Sequence, residues 1–528
     1  MSIVLQKLAD NLFRRTGCLY AVFFLLIIAL KWPFFSIPPV WDEAFSIFPA
    51  ADFLVKHGFD YSLLLTQPGY HEGGPTAHAL SLLTLVTALV LKTTGGGKLA
   101  WMILHVLQWL MAAAIGTMLT RIYSKLFDEI PAFLLAVASL AYPLMLAQLG
   151  GMYIEVPLLF FSLFAFYHYR NDRILLASLS LVAACMTKES GVLAVGVLVL
   201  TVLCAQNKPF RNRIVSALVI AIPSIVAVFT LLIIVNHKIS FSNQHTIKDI
   251  LNHILYLNLS AYRNYIANIP ELIVIFTGSA LMSILFLSKN IYQCIKKGQE
   301  ELKIIIYNSL FIVVFLIFHF VVYPAIQISD VHFLSRYSFY VIPSMFLIIY
   351  YPIDKLLKET KIKALLFLII IGICLINRNG ILYPSIPYSS IAVAERSEEY
   401  VNGYDVQKNY IWLIENKVPE NIPIYVSLPD YFLTHYSISQ YVGKPLANVY
   451  FIVNVIKSGG NKFKYPEHFI LVYSYPWLGG EYIRKIMQDV SGNNEFSSEV
   501  LGYFKKGYFE AYVVEIRRKS SFKNNSDK

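Results

Sequence analysis

The sequence predicts a polytopic α-helical membrane protein with about eleven transmembrane helices and a small α/β domain at its C-terminal end. Three observations predict this: the composition, the succession of apolar runs up to residue 381, and a change of texture after residue 384. Of the 528 residues, 56% are hydrophobic and 15% charged, against roughly 45–50% and about 25% in soluble domains. No single soluble core buries so much apolar surface, so an ordinary water-soluble globule is excluded. The formal net charge of +11 would suit nucleic acid, but the basic residues lie between the apolar runs, where they report membrane topology instead. No nucleic-acid partner is expected. Cys18, Cys185, Cys204, Cys294 and Cys374 fall in or beside apolar segments without metal-type spacing, so no disulfide framework is implied.

The apolar runs, in order, are 17–37, 78–91, 99–120, 130–148, 154–169, 174–187, 192–205, 214–235, 269–288, 304–324, 337–351 and 364–381. The first follows Arg14 and Arg15 with no small-residue cleavage site after it, so it reads as a retained span. The second, with 14 positions, reaches only about 21 Å as a helix, short of a hydrocarbon core of about 30 Å. Charge decides whether it crosses. Loops 121–129, 170–173, 207–213, 289–303 and 353–363 carry 15 Lys or Arg in 46 residues, whereas loops 149–153, 188–191, 236–268 and 325–336 carry five in 54. Lys and Arg are retained on the cytoplasmic side. The first set is inside, together with Lys7, Arg14 and Arg15, only if 78–91 does not cross. The expected topology has the N-terminus in the cytoplasm of an inner (plasma) membrane protein and the C-terminal domain in the periplasm or outside the cell. Residues 78–91 become a helix partly sunk in the outer leaflet, within a first outer loop of 38–98.

This divides the chain into a transmembrane domain (1–384), a soluble extracytoplasmic α/β domain (385–517) and a disordered polar tail (518–528). Within the second, 396–417 reads as a helix. Ile422 to Ser427, Phe469 to Ser474 and Phe509 to Ile516, rich in Tyr, Val and Ile, read as strands.

Ionisable groups at the membrane are costly, so the outer acids and bases near span ends are the informative ones. Asp42 and Glu43 follow the first span, and His71 and Glu72 come later in the same loop. Glu155 opens an otherwise apolar span. Lys188 lies at the turn of two arms, 174–187 and 192–205, each too short to reach the outer surface, so its ammonium sits recessed and needs an acid or a phosphate. Arg336, followed by Tyr337, opens another span from the same side. Each has a plainer reading: Asp42 and Glu43 as solvated loop acids, His71 with Glu72 as a local hydrogen bond, Glu155 with Lys188 as a structural ion pair, Lys188 and Arg336 as snorkelling cations.

Four stretches, Trp41-Asp42-Glu43-Ala44, Glu72 to Pro75, Tyr153-Ile154-Glu155-Val156-Pro157 and Thr187-Lys188-Glu189-Ser190-Gly191, together with Arg336-Tyr337, resemble the GT-C superfamily of membrane glycosyltransferases. The resemblance is to the glycosyltransferase family 39-like group, which includes protein O-mannosyltransferases and the aminoarabinose transferase of lipid A. It spans most of residues 17–351. The chain departs from the family in Gly73-Gly74-Pro75, where two prolines are frequent, and in Glu155, where Asp is common.

The resemblance implies a GT-C fold and a donor sugar carried on polyprenyl phosphate. The acceptor would be lipid A or another envelope glycan, a lipid or a protein, met on the outer face. Asp42 is then the base for the acceptor hydroxyl, with Glu155 beside it in the catalytic set, and transfer inverts the anomeric carbon. Lys188 and Arg336 stabilise the departing phosphate. Glu43, His71, Glu72 and Tyr337 complete the substrate-binding set. No cofactor is certain; a divalent cation on Asp42, Glu72 and His71 stays open. Two other classes are weighed beside it: an O-antigen polymerase or ligase, which would place its large soluble region between spans, and a secondary transporter, which would place its charges at the midplane.

Overall fold

The computed structural model describes residues 15–35, 47–66, 81–149, 153–188, 190–204, 209–236, 252, 270–297, 300–318, 339–357, 359–376, 397–426, 449–451, 466–475, 495–506 and 509–519. The chain divides into two compact units, one of residues 1–32, 61–86 and 104–395, the other of 33–60, 87–103 and 396–528.

The first unit is helical. Its elements are α1 (Thr16–Lys31), α3 (Tyr61–Thr66), parts of α4 (Leu82–Thr94) and α5 (Gly97–Tyr123), then α6 (Glu129–Ala141), α7 (Pro143–Leu149), α8 (Glu155–Arg170), α9 (Ile174–Thr187) and α10 (Gly191–Cys204). It continues with α11 (Phe210–Asn236), α12 (Pro270–Lys297), α13 (Glu300–Ile317), α14 (Ile342–Leu356) and α15 (Thr360–Ile376). Among the described residues, Gly97–Tyr123 and Phe210–Thr230 are each long and apolar enough to cross a membrane. Their surroundings differ. α5 is largely buried among its neighbours. α11 instead exposes Val215, Leu218, Ile222, Val226 and Phe229, and α15 exposes Leu365, Leu368, Ile369 and Ile373. Apolar stripes of this extent outside a folded unit need hydrocarbon as their solvent, which makes the chain an integral membrane protein.

One predicted span is not straight. The apolar run 130–148 forms α6 and α7, bent by 67° at Tyr142. Pro143 is the cause: it disfavours helical φ/ψ for the residue before it, and Tyr142 is extended at ψ 134. The short arm α7 ends at Leu149, so its last carbonyls lie beyond helical partners, and side chains from α1 and α5 take two of them. Lys31 Nζ donates to the carbonyl of Leu146, and Trp109 Nε1 donates to that of Leu149 at 3.3 Å. Close packing brings these helices within reach. Beside Gly116 of α5 any Cβ would lie 2.5 Å from the Phe23 ring of α1.

The second unit holds α2 (Phe48–Lys56), the remaining parts of α4 and α5, α16 (Ser397–Lys417) and a five-stranded sheet. The strands are β1 (Ile424–Val426), β2 (Val449–Phe451), β3 (His468–Tyr475), β4 (Phe496–Lys506) and β5 (Phe509–Arg518), in the order β2-β1-β3-β5-β4. β1 pairs parallel with β2 and β3, whereas β3–β5 and β5–β4 are antiparallel. Val406, Tyr410, Leu413 and Ile414 recur at helical spacing on α16 and pack on Ile424, Val426, Ile470, Val472 and Val513. Gly502 sits at a bulge in β4, where a Cβ would meet Leu413 at 2.9 Å.

Helix 396–417 and the three strands expected from sequence lie where they were placed. β5 runs on to Arg518: Arg517 and Arg518 pair with His468 and Phe496, and the Arg518 guanidinium reaches Glu495 at 3.2 Å. Backbone pairing, not side-chain polarity, sets where the strand ends.

Candidate functional site

The site is built on an antiparallel hairpin. α8 and α9, of 16 and 14 residues, are joined by Asn171, Asp172 and Arg173, with Asp172 in the left-handed region at φ 57, which Asp tolerates. Helices so close in length, about 24 and 21 Å, return the chain to the level at which it started. Glu155, in the first turn of α8, therefore meets Lys188, the C-cap residue of α9. Lys188 Nζ donates to Glu155 Oε1 at 3.0 Å.

Both members are buried, Glu155 at 1% and Lys188 at 9% exposure. A buried charge is tolerated only when paired, and helix dipoles assist here. The carboxylate sits at a helix N-terminus and the ammonium at a helix C-terminus, each at the end that favours its sign. Of the readings left open in the sequence, the geometry displays the ion pair: Lys188 is buried and donates to Glu155.

The turn that delivers Lys188 is fixed by its glycine. Gly191 donates its N–H to the Lys188 carbonyl at 2.9 Å, and a Cβ on Gly191 would lie 2.6 Å from the backbone of Ala184. No other residue lets α10 start so close to α9. Glu155 is fixed from the other side. Gln108 Nε2 donates to the carbonyl of Tyr153 at 3.0 Å, so Gln108 holds the residue two before Glu155, while Trp109 and Lys31 hold the carbonyls of Leu149 and Leu146.

These three supporting residues were not singled out from the sequence. A signal was present: Lys31 and Gln108 are polar side chains within the apolar runs 17–37 and 99–120, and such residues need partners. The structure thus brings together Glu155 and Lys188 of the predicted set. Asp42, Glu43, His71, Glu72, Arg336 and Tyr337 lie outside the described residues. Among the described residues no group of three His, Cys, Asp or Glu can hold a metal ion. The proposed cation ligands Asp42, His71 and Glu72 are not among them.

Chemically, the pair presents an ammonium whose hydrogen bonds are shared with a carboxylate in a low-dielectric setting. Such a cation can bind an incoming phosphate only by leaving its carboxylate, which then needs another partner.

No family model matches the chain, and no curated protein matches it. It is similar to two solved structures of ArnT from Cupriavidus metallidurans. One is the apo state (TM-score 0.46, 13% identity, 94% of this chain and 97% of the other covered). The second is bound to undecaprenyl phosphate (TM-score 0.44, 12% identity, with 94% and 97% covered).

Proposed function

We propose that the chain is a membrane glycosyltransferase of GT-C type that moves a sugar from a polyprenyl-phosphate donor to an envelope glycan, lipid or protein acceptor at the outer face of the inner membrane. The observation that carries this reading is the buried Glu155–Lys188 pair at one end of the α8–α9 hairpin. It coincides with two of the stretches whose sequence resembles that superfamily. The eleven-span topology, with cytoplasmic N-terminus and external C-terminal domain, belongs to the same proposal and rests on the loop charge bias.

In this mechanism the acceptor oxygen attacks the anomeric carbon and its proton passes to Asp42. The bond from that carbon to the phosphate oxygen breaks, and polyprenyl phosphate leaves with the electron pair. A single displacement inverts the anomeric centre. Negative charge grows on the leaving oxygens, where Lys188, released from Glu155, and Arg336 stabilise it without covalent chemistry. Glu155 then has two tasks: it neutralises Lys188 while the site is empty and orients the acceptor when the donor is bound. In this proposal Glu43, His71, Glu72 and Tyr337 bind the substrates, and a divalent cation held by Asp42, His71 and Glu72 would polarise the phosphate.

The test compares lipid-linked sugars and envelope glycans by mass spectrometry in cells with and without the gene product, then with Asp42→Asn. The expected result is accumulation of one polyprenyl-phosphate sugar and loss of one sugar from an envelope acceptor in both the null and the variant, at unchanged protein level. Identical glycan and lipid profiles in all strains would reject the reading.

A further inference from the structure

A second charged site lies elsewhere in the helical unit. Ser124, Lys125, Leu126, Phe127 and Asp128, between α5 and α6, face Asp354 and Lys355 near the end of α14 and Lys363 in α15 across a cleft of about 330 Å³. Its floor is a second buried ion pair: Lys363 Nζ donates to Asp354 Oδ1 at 2.6 Å, with Lys363 8% and Asp354 9% exposed. Tyr350 leans on the same carboxylate, its hydroxyl 3.5 Å from Oδ1. Asp128 accepts from Thr360 Oγ1 at 3.4 Å, and Lys355 Nζ stands over the Tyr351 ring, 5.4 Å from its centroid. With Asp354 neutralised by Lys363, the wall carries the exposed ammonium groups of Lys125 and Lys355 against the single carboxylate of Asp128.

The site is separate from Glu155 and Lys188. Along α5, Gln108 supports the Glu155 segment, whereas Tyr123 adjoins the cleft, and the 15 positions between them span about 22 Å. Its flanks are apolar and uncovered: Leu356 is 80% exposed, Leu365 58%, Ile362 47% and Ile130 39%. Cationic, polar walls bordered by exposed Leu and Ile are what a helix bundle offers where lipid headgroups meet acyl chains. The loops that form it, 121–129 and 353–363, belong to the basic set assigned to the cytoplasm.

We infer that this cleft binds the phosphate headgroup of an anionic phospholipid of the inner leaflet, with Lys125 and Lys355 on the phosphate and the Asp354–Lys363 pair as its rigid floor. The volume holds a glycerophosphate headgroup, and the acyl chains run over Leu356, Ile362 and Leu365. The choice of leaflet rests on the proposed topology, but the inference does not rest on the transferase chemistry, because neither lysine belongs to that site.

The experiment is native mass spectrometry of the full-length protein, delipidated in detergent and titrated with dioleoylphosphatidylglycerol, with dioleoylglycerol lacking phosphate, and with inorganic phosphate as competitor. The expected result is retention of phosphatidylglycerol over dioleoylglycerol, a loss of about fivefold in occupancy for each of Lys125→Ala and Lys355→Ala, and full retention in the matching Arg variants. Both side chains are exposed, so the thermal unfolding midpoint of the Ala variants stays that of the parent and a folding defect is separable. Equal retention by the double Ala variant or of the phosphate-free lipid overturns the inference. So does complete displacement by inorganic phosphate, which would make this a site for the free ion.

Discussion

Lys188 Nζ and Glu155 Oε1 lie 3.0 Å apart, although 33 residues separate them in sequence, because α8 and α9 return the chain to its starting level. The pair ties the end of one helix to the start of another inside a region from which water is excluded. Single and double substitutions of the pair should therefore have opposite consequences.

Removing one partner strands a buried charge. Lys188→Met is expected to lower stability by about 3–5 kcal/mol, and the double change Glu155→Gln with Lys188→Met to recover most of that loss. Thermal unfolding in detergent measures both. Transfer activity separates the roles: the double variant regains stability but not turnover if the pair serves the donor, and regains both if it only holds the helices together.

Gly191→Ala places a methyl group 2.6 Å from the Ala184 backbone. The α9–α10 turn must open, at a cost of about 1–3 kcal/mol, and Lys188 moves with it. Gly196→Ala, with nothing within 4 Å of its Cβ, is the matched control. Unfolding midpoints should fall for the first substitution and hold or rise slightly for the second.

Lys31→Met removes the donor to the Leu146 carbonyl and leaves that oxygen buried without it. The expected penalty is about 1–3 kcal/mol. Faster amide exchange should appear in peptides covering 143–158 before any appears in α11. Uniform exchange throughout the chain would show that Lys31 has no special hold on this segment.

In the second unit, burial pushes the Glu515 carboxyl upward, but hydrogen bonds from Arg517 and His468 outweigh it and leave the group below its ordinary 4.5. A depressed carboxyl stabilises the fold at pH above the unfolded-state value, and that contribution disappears as pH falls through the folded-state value. Protection of β3 and β5 amides, corrected for intrinsic rates, should therefore weaken below about pH 4.5 in the parent, and less steeply in Glu515→Gln. The same slope in both would exclude Glu515 as the acid-sensitive group.

The proposed topology predicts that an alkaline phosphatase fused after residue 384 is active outside the cytoplasm, and that one fused within 353–363 is not. The opposite pattern would invert every assignment of side.

The arms 174–187 and 192–205, which form α9 and α10, were legible in the sequence as two short apolar runs with a polar turn, and Glu155 and Lys188 stood out as charges at apolar ends. The α16 helix was legible as a helical stretch, and β3 through its run of β-branched and aromatic residues. The bend at Tyr142 was not: hydropathy over 130–148 is continuous, and Pro143 alone marked it. β4 was missed because, apart from Phe496, its side chains are exposed or half-exposed along its whole length, so no apolar alternation betrays it. Lys31 and Gln108 were passed over because a lone polar residue in a span names no partner, and their partners are backbone carbonyls, which sequence does not display.

The 67° bend between α6 and α7 bears on biogenesis. The bend makes α7 a short arm, and the carbonyls of its last turn, Leu146 and Leu149 among them, lie beyond helical partners and cannot rest in bare lipid. Its donors, Lys31 and Trp109, lie upstream and leave the ribosome first. The kinked stretch thus emerges toward a receptacle already made, which gives the order of synthesis a structural purpose: exchanging the gene order of these segments would oblige 130–148 to wait, straight and mis-seated, for the groups that fold it back.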